Sequence, residues 1–252
     1  MPVTSVQFGQ SPWKYANGLA ISNNATTPNS LLNIATGSIL DSAGVFQLFL
    51  DAPVVVNSAS NGLNGLDTGT ITLNTLYKVY LVADVVSALP SGVVISTSAT
   101  GPLMPFGYNK YALIGYVATN GSSQFLKGYW TASNGSTREF FYDAPVATEV
   151  TAGNATAFTA IPLTAVVPAI DNTPVRLNYA FTPGAASRTL NFTPGNGVGN
   201  AITVTGQVTS VVVSGQSLVV SKVTAGVPEV DYKVSNSGDA VAVNVAGYTF
   251  FL

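Results

Sequence analysis

At 252 residues the chain is long enough to bury a real core, as one large domain or two ordinary ones. Apolar residues make up 47 % of it and charged residues only 8 %, against about 25 % in a typical soluble domain. Net charge is −2, and the absence of cysteine and histidine excludes disulfides, thiolate chemistry, imidazole or thiolate metal sites and every His-based catalytic triad.

Any enzyme built from this chain would depend on eleven scattered acids, lysines, tyrosines or an unusual serine. The nine basic residues, Lys14, Lys78, Lys110, Lys127, Arg138, Arg176, Arg188, Lys222 and Lys233, stand singly. Phosphate neutralisation needs them clustered, so no nucleic-acid partner is expected. Membrane insertion is not expected either. The most apolar stretch, "YKVYLVADVVSALPSGVVIS", is broken by Lys78, Asp84, Pro90 and Gly92 before ~18 apolar residues accumulate.

From the N-terminus, "MPVTSVQFGQSPWKYANG" has neither a basic start nor an apolar signal core, which predicts synthesis in the cytosol without an export signal. "PNSLLNIATGSIL" reads as loop and strand; its apolar spacing also allows one or two helical turns after Asn29 or Ser30. "NGLDTGTITLNT" holds Asp67-Thr68-Gly69, the triplet of aspartic proteases. Those enzymes pair two carboxylates so that one holds a proton while the other activates water. Here the triplet occurs once and follows the Gly/Asn-rich "NGLNGL" instead of an apolar strand. The expectation is a turn, with Asp67 accepting backbone hydrogen bonds and Gly69 bending the chain into the next strand.

Four strands are predicted next, from "LYKVYLVADVV", "GVVISTSA", "YALIGYVAT" and "FLKGYWTAS". Turn chemistry joins them at Pro90-Ser91-Gly92, Pro105-Phe106-Gly107 and Asn120-Gly121. Asn-Gly supplies positive φ angles, so "LIGYVATNGSSQFLKGYW" is expected to form a hairpin. The aromatic residues Tyr108, Tyr111, Tyr116, Tyr129 and Trp130 make either core and interface anchors or a platform for stacking on sugar.

A domain boundary is expected within "FFYDAPVATEVTAGNATAF", because small residues, Val and Pro-marked turns dominate after it. "PGNGVGN", Pro194 to Asn200, mimics a phosphate-cradling loop, but a strand-like segment follows where such loops need a helix, so a hairpin loop is expected. "NAITVTGQVTSVVVSGQSLVVSKV" reads as two or three strands divided at Gly206 and at Ser214-Gly215. In "DAVAVNVAGYTFFL", Val241, Val243 and Val245 fall on one face and Ala240, Ala242 and Asn244 on the other. Asn24, Asn120, Asn134, Asn154 and Asn191 begin Asn-x-Ser/Thr triplets, which carry no meaning without export. The acid pairs Glu139/Asp143 and Glu229/Asp231 read as solvated turn residues; a glycan-cleaving enzyme would require such a pair at about 5–10 Å. Calcium binding is not predicted, as no Asp-x-Asp spacing or EF-hand loop occurs.

Three segments in order carry a family resemblance: "YANGLAISNNATTPNSLLNIATGSILDSAG", "NGLDTGTITLNTLYKVYLVAD" and "VVISTSATGPLMPFGYNKYALIGYVATNGSSQFL". Gly65 to Gly69, Tyr77, Ser96 to Thr100, Pro102, Pro105, Gly107, Tyr108, Ile114, Gly115, Gly121 and Ser122 match a module of tailed-bacteriophage structural proteins, which residues 15–130 thus resemble. The family often has a basic pair after the Gly-Tyr turn, where this chain has Lys110 alone. The resemblance implies a tail-fibre, head-fibre or capsid-decoration protein of the virion, commonly trimeric and without enzymatic activity.

The expected fold is all-β, two jelly-roll-like β-sandwich domains in tandem over residues 15–143 and 144–252, behind an attachment arm at residues 1–14. So few charges leave strand edges unguarded, so the chain is expected to self-associate; the resemblance implies that it does so as a homotrimer. Its expected place is the virion, beside other capsid or tail proteins and in contact with a host surface glycan or receptor. No cofactor, metal or catalytic residue is predicted. Two alternatives remain: a capsid shell subunit of double jelly-roll type, and a glycan-binding or glycan-cleaving tail protein.

Overall fold

A computed structural model of the chain describes residues 5–7, 16–86, 89–131, 133–197 and 201–252. The fold is all-β, built from several largely antiparallel sheets. The chain divides into two compact units, one of residues 1–140 with 250–252 and one of residues 141–249. Apart from the short strand at residues 5–7, the expected attachment arm lies outside the described residues.

The first unit contains β1 (Ser5–Gln7), β2 (Ala16–Gly18), β3 (Ile21–Asn23), β4 (Leu31–Ile34), β5 (Gly37–Leu40), β6 (Phe46–Leu50) and β7 (Val54–Asn57). It continues through β8 (Gly65–Leu66), β9 (Leu76–Ala83), β10 (Gly92–Ser96), β11 (Lys110–Ala118), β12 (Gly128–Trp130) and β13 (Ser133–Gly135). One sheet runs β1-β6-β5-β2-β13, a second β11-β9-β10-β8, and β12-β3-β4-β7 lie side by side in a third. "PNSLLNIATGSIL" supplies β4 and β5, with Leu32, Ile34 and Ile39 buried.

β9 and β10 read as continuous apolar runs because both of their faces are covered. Tyr80, Val82 and Val94 form a cluster against which Leu63, Met104, Tyr108, Tyr111 and Leu113 pack. Tyr111 meets Tyr80 edge to face at 5.6 Å. On the other side lies the main core, where Trp130 tilts against Phe140 at 5.0 Å. Phe250, contributed from the far end of the sequence, meets Tyr116 at 5.1 Å and Trp130 at 6.2 Å.

The expected hairpin over residues 113–130 forms only at its tip, where the Asn120 N–H donates to Gln124 O and the Leu126 N–H to Ala118 O, and it extends no further. Residues 119–125 close a tight loop through Thr119↔Phe125, but the left-handed residue is Ser123 (φ 57°) and the Asn120 side chain accepts the N–H groups of Ser122 and Gln124. β12 then leaves β11 and pairs with β3 at Tyr129↔Ser22. The reason is Trp130, whose indole N–H donates to the Tyr116 carbonyl at 2.7 Å and so needs its strand on the core side.

β14 (Thr137–Gly153) starts in the first unit and enters the second. The second unit continues with β15 (Thr159–Pro162), β16 (Pro174–Thr182), β17 (Arg188–Pro194), a 3-10 turn at Gly195–Gly197 and β18 (Ile202–Gly206). After these come β19 (Val213–Val220), β20 (Lys222–Thr224), β21 (Val227–Val234) and β22 (Ala240–Phe251), the end of which returns to the first unit. β19-β16-β22 form one layer and β15-β21-β17-β18 another, with β20 extending the pairing of β21. Val175, Leu177, Phe181, Leu190, Phe192, Val230, Val241, Val243 and Val245 are all buried, so the alternation in "DAVAVNVAGYTFFL" is that of a half-buried strand. Tyr179 and Phe192, one from each layer, lie 6.0 Å apart. Ser214-Gly215 does not divide strands as expected: both lie inside β19, where Gly215 leaves room for the Tyr179 ring on the neighbouring strand.

Three buried phenols set the response to alkali. Burial raises Tyr80 to about 12, and drives Tyr116 and fully enclosed Tyr142 higher still. A folded-state pKa above the unfolded value means that stability is intact below pH 10 and is lost as pH rises through the folded value. Each phenol removes about 1.4 kcal/mol per pH unit there. Arg138, lowered to about 10 by burial, acts in the opposite sense and offsets part of this loss. With no histidine, the urea midpoint is expected to stay level from about pH 6 to 9 and to fall steeply above about pH 10. A midpoint unchanged at pH 11 would contradict the burial of these rings.

Candidate functional site

The module resemblance maps onto one connected piece of the first unit. Asp67 donates its own N–H to Ile95 O at 2.9 Å, and its carboxylate accepts the N–H of Leu103 at 3.0 Å. Gly69 turns with φ 77°, and β9 follows from Leu76. The segment 97–109 is clamped onto the sheet at further points. Lys78 Nζ donates to the carbonyls of Ser98 and Ala99, Tyr111 to Thr100 O, and Tyr108 to Pro90 O at 2.7 Å. Both carboxylate-to-backbone bonding and clamping leave Asp67 a turn-builder, as the sequence suggests. Lys110 reaches Asp41 at 3.7 Å, and its ammonium sits over the Phe46 ring.

The aromatic residues do not form one platform. Trp130 and Tyr116 belong to the core, Tyr108 and Tyr111 hold the clamped loop, and Tyr129 is partly exposed. Phe106, at the tip of that loop, projects fully into solvent, with Leu103 exposed nearby in sequence.

Arg138 gives no outward sign in the sequence of what it does. It is 1 % exposed, and its guanidinium donates to the carbonyls of Leu19, Ile114 and Thr131, with Trp130 5.9 Å away. Backbone carbonyls take the place of a carboxylate partner. A buried guanidinium suits this work because its planar fork can serve several acceptors at once.

The acid pairs read as turn residues lie in strands. Glu139 and Asp143 are both within β14. Glu229 and Asp231 are two apart in β21 and share a face, where Asp231 is 4 % exposed and Glu229 half-buried. With Phe158, Ala160 and Gly197 they line an open cleft of about 320 Å³. The "PGNGVGN" segment begins with the 3-10 turn and joins β17 to β18, which pair antiparallel from Arg188↔Gly206 to Phe192↔Ile202. It is thus a hairpin connection, and Gly197 lines the cleft together with Asp231.

Thr193 stands directly opposite Asp231 on β17, and therefore on the same face. Thr193 Oγ1 and Asp231 Oδ1 are both buried and have no hydrogen-bond partner among the described residues. Burial raises the Asp231 carboxyl; the Gly197 N–H opposes this and the Glu229 charge adds to it. Lys222 lies across from Glu229, and Lys233 has its ammonium over the Phe158 ring at 4.5 Å. Neither lysine forms an ion pair with Glu229 or Asp231 among the described residues. No three acidic side chains converge among the described residues.

The third feature is an edge. β19 is the outer strand of its layer and pairs on one side with β16. Leu218 and Val220 point outward from it, and Val208, Val211 and Val212 are exposed in the preceding loop. No charged residue occurs between Arg188 and Lys222. Among the described residues, no helix is long and apolar enough to cross a membrane.

No family model matches the sequence, and no curated protein matches it. Among solved structures, two of infectious bursal disease virus are similar to the chain. The Gx strain shows 12 % identity and a TM-score of 0.28, covering 94 % of this chain and 71 % of that one. The Gt strain shows 11 % identity and a TM-score of 0.22, covering 94 % and 69 %. An exo-β-1,3-galactanase from Phanerochaete chrysosporium, solved with galactose, shows 14 % identity and a TM-score of 0.21, covering 99 % and 70 %. These are coarse likenesses of β-architecture, to viral structures and a glycan-acting enzyme alike.

Proposed function

We propose that the chain is a non-enzymatic structural protein of a bacteriophage virion, displayed on the capsid or tail. It acts by shape and surface, in decorating the particle or in attachment to a host. The observation that carries this reading is the uncharged, apolar β19 edge. An open strand edge is a template for another strand, and soluble proteins normally guard it with Lys, Pro or a bulge. Here Leu218 and Val220 project from a strand that, among the described residues, pairs on one side only, and neighbouring copies of the chain would cover its other side. The resemblance of residues 15–130 to phage structural modules supplies the virion, and the trimer common in that family supplies the copy number.

Light scattering on a sizing column tests the assembly. A stable species near three times 25.9 kDa is expected. Replacing Leu218 and Val220 together by Lys should reduce that species to monomer while leaving the β circular-dichroism spectrum intact. A wild-type chain that stays monomeric at high concentration removes the argument from the edge. Virions purified from the phage that encodes the chain should contain it stoichiometrically, and its absence from them ends the virion reading.

A further inference from the structure

The sequence sets asparagine directly before glycine at residues 17–18, 61–62, 64–65, 120–121, 134–135 and 196–197. At such a pair the glycine nitrogen can attack the asparagine side-chain carbonyl, provided that its N–H is free and the backbone has room to bend. The fold withdraws all but one of these pairs from that reaction. The N–H of Gly62 donates to Leu66 O at 2.6 Å, and that of Gly65 to Gly62 O at 3.1 Å. Asn17-Gly18 and Asn134-Gly135 lie in paired strands, β2 and β13. Asn196-Gly197 is wound into the 3-10 turn, with Gly197 against Phe158.

Asn120-Gly121 is different. It lies in the tight loop after β11, where Gly121 is exposed and its N–H has no hydrogen-bond partner among the described residues. The side chain beside it is held in place for attack. Asn120 Oδ1 accepts the N–H of Ser122 at 2.9 Å and that of Gln124 at 3.0 Å, while Nδ2 donates to Gln124 Oε1 at 3.4 Å. Two N–H donors on one carbonyl oxygen draw charge from its carbon and stabilise the oxyanion that a nucleophile creates there. Space is also available. A Cβ built at Gly121 would meet nothing closer than the Asn74 side-chain amide at 3.8 Å.

We propose that Asn120 is a self-modification site, converted by the Gly121 amide that follows it. The Gly121 nitrogen bonds to Asn120 Cγ, and its proton passes through solvent to Nδ2. The bond from Cγ to Nδ2 then breaks and ammonia leaves, so that a five-membered succinimide remains. Water adds to either carbonyl of this ring and opens it, to aspartate or to isoaspartate. The net change is water in and ammonia out, with no oxidant, reductant or cofactor. The two products treat the loop differently. Aspartate keeps both N–H bonds on a charged acceptor and adds one negative charge to a chain whose net charge is −2. Isoaspartate lengthens the backbone by one carbon inside a loop closed at Thr119↔Phe125, where Phe125 is buried. The loop thus works as a clock, turning the age of the chain into charge and into a loosened Phe125. This inference is independent of the virion reading, since it rests on the loop alone.

The test ages the purified full chain in warm buffer at pH 7 and at pH 9 and maps its peptides by mass spectrometry. The peptide containing Asn120 should gain about 1 Da and split into aspartate and isoaspartate forms. Conversion should run faster at pH 9, because the attacking species is the amide anion, while the other Asn-Gly peptides stay unmodified. Gly121→Ala meets neither a clash nor a left-handed backbone, so it should fold as the wild type does. Its Cβ narrows the backbone freedom that ring closure needs, and conversion should slow roughly tenfold. An Asn120 still intact after two weeks at pH 9 overturns the proposal. Equal conversion at the other Asn-Gly pairs does so too, since the fold would then select nothing. Conversion of Gly121→Ala at the wild-type rate also overturns it.

Discussion

Arg138→Ala is expected to cost about 4 kcal/mol or more and to lower the urea midpoint of the first unit steeply. The estimate follows from what the guanidinium leaves behind. The carbonyls of Leu19, Ile114 and Thr131 lose their donor inside a closed core, at about 1–3 kcal/mol for each group left without a partner. The vacated volume beside Trp130 adds a cavity term. A domain's whole stability is only about 5–15 kcal/mol. Arg138→Met separates two accounts of the residue. If the buried charge were merely tolerated, an apolar side chain of similar length would be neutral or stabilising, as happens with some buried ion pairs. Because the acceptors here are backbone groups that remain in place, Arg138→Met should also destabilise, and Arg138→Lys should recover part of the loss. Urea midpoints of the three variants decide the matter. A stable Arg138→Met protein would refute the clamp.

The second large effect concerns the "GLDTG" turn. A Cβ at Gly65 would lie 2.2 Å from the Ser60 carbonyl oxygen and 2.7 Å from its carbon, both backbone atoms that cannot swing aside. Gly65 also pairs in parallel with Val94, so the strand has no room to retreat. Gly65→Ala is expected to cost about 3 kcal/mol, the upper end for overpacking. Gly69→Ala is the contrast: its added carbon meets nothing, and the penalty of about 1 kcal/mol comes from the left-handed backbone alone. Melting temperatures of the two alanine variants should therefore differ by several degrees, with Gly65→Ala the lower. Equal values would mean that the approach to Ser60 is looser than described.

What could be read from the sequence follows from how local each signal is. The strand alternation at Val241, Val243 and Val245, and the turn nature of Asp67 and Gly69, depend on near neighbours, and both hold. Composition alone pointed to an all-β chain. What failed depended on partners far along the sequence. Asn120-Gly121 carries hairpin chemistry, but Trp130 and β3 decide where the next strand goes. Ser214-Gly215 looks like a break until Tyr179 fills the space above the glycine. Arg138 resembles any surface base, because its acceptors lie at residues 19, 114 and 131. The cleft was concealed in the same manner. Glu229-x-Asp231 spacing is visible in β21, and "PGNGVGN" is visible as a glycine-rich loop, but Phe158 and Ala160 meet them only through the β15–β21 pairing. An acidic i, i+2 pair within an alternating strand pattern was the available signal, and it marks a face more than a turn.

Phe250 has a consequence for the order in which the protein is made. Its ring closes against Tyr116 and Trp130, yet it is translated more than a hundred residues after Phe140, once the whole second unit has been synthesised. At about 5–20 residues per second, the ribosome leaves that slot without its ring for roughly 5–20 s. The first unit therefore waits, with aromatic surface uncovered, for a strand that the second unit must deliver. Nascent chains would be held in a half-finished state during that interval, open to chaperones and to premature pairing with one another.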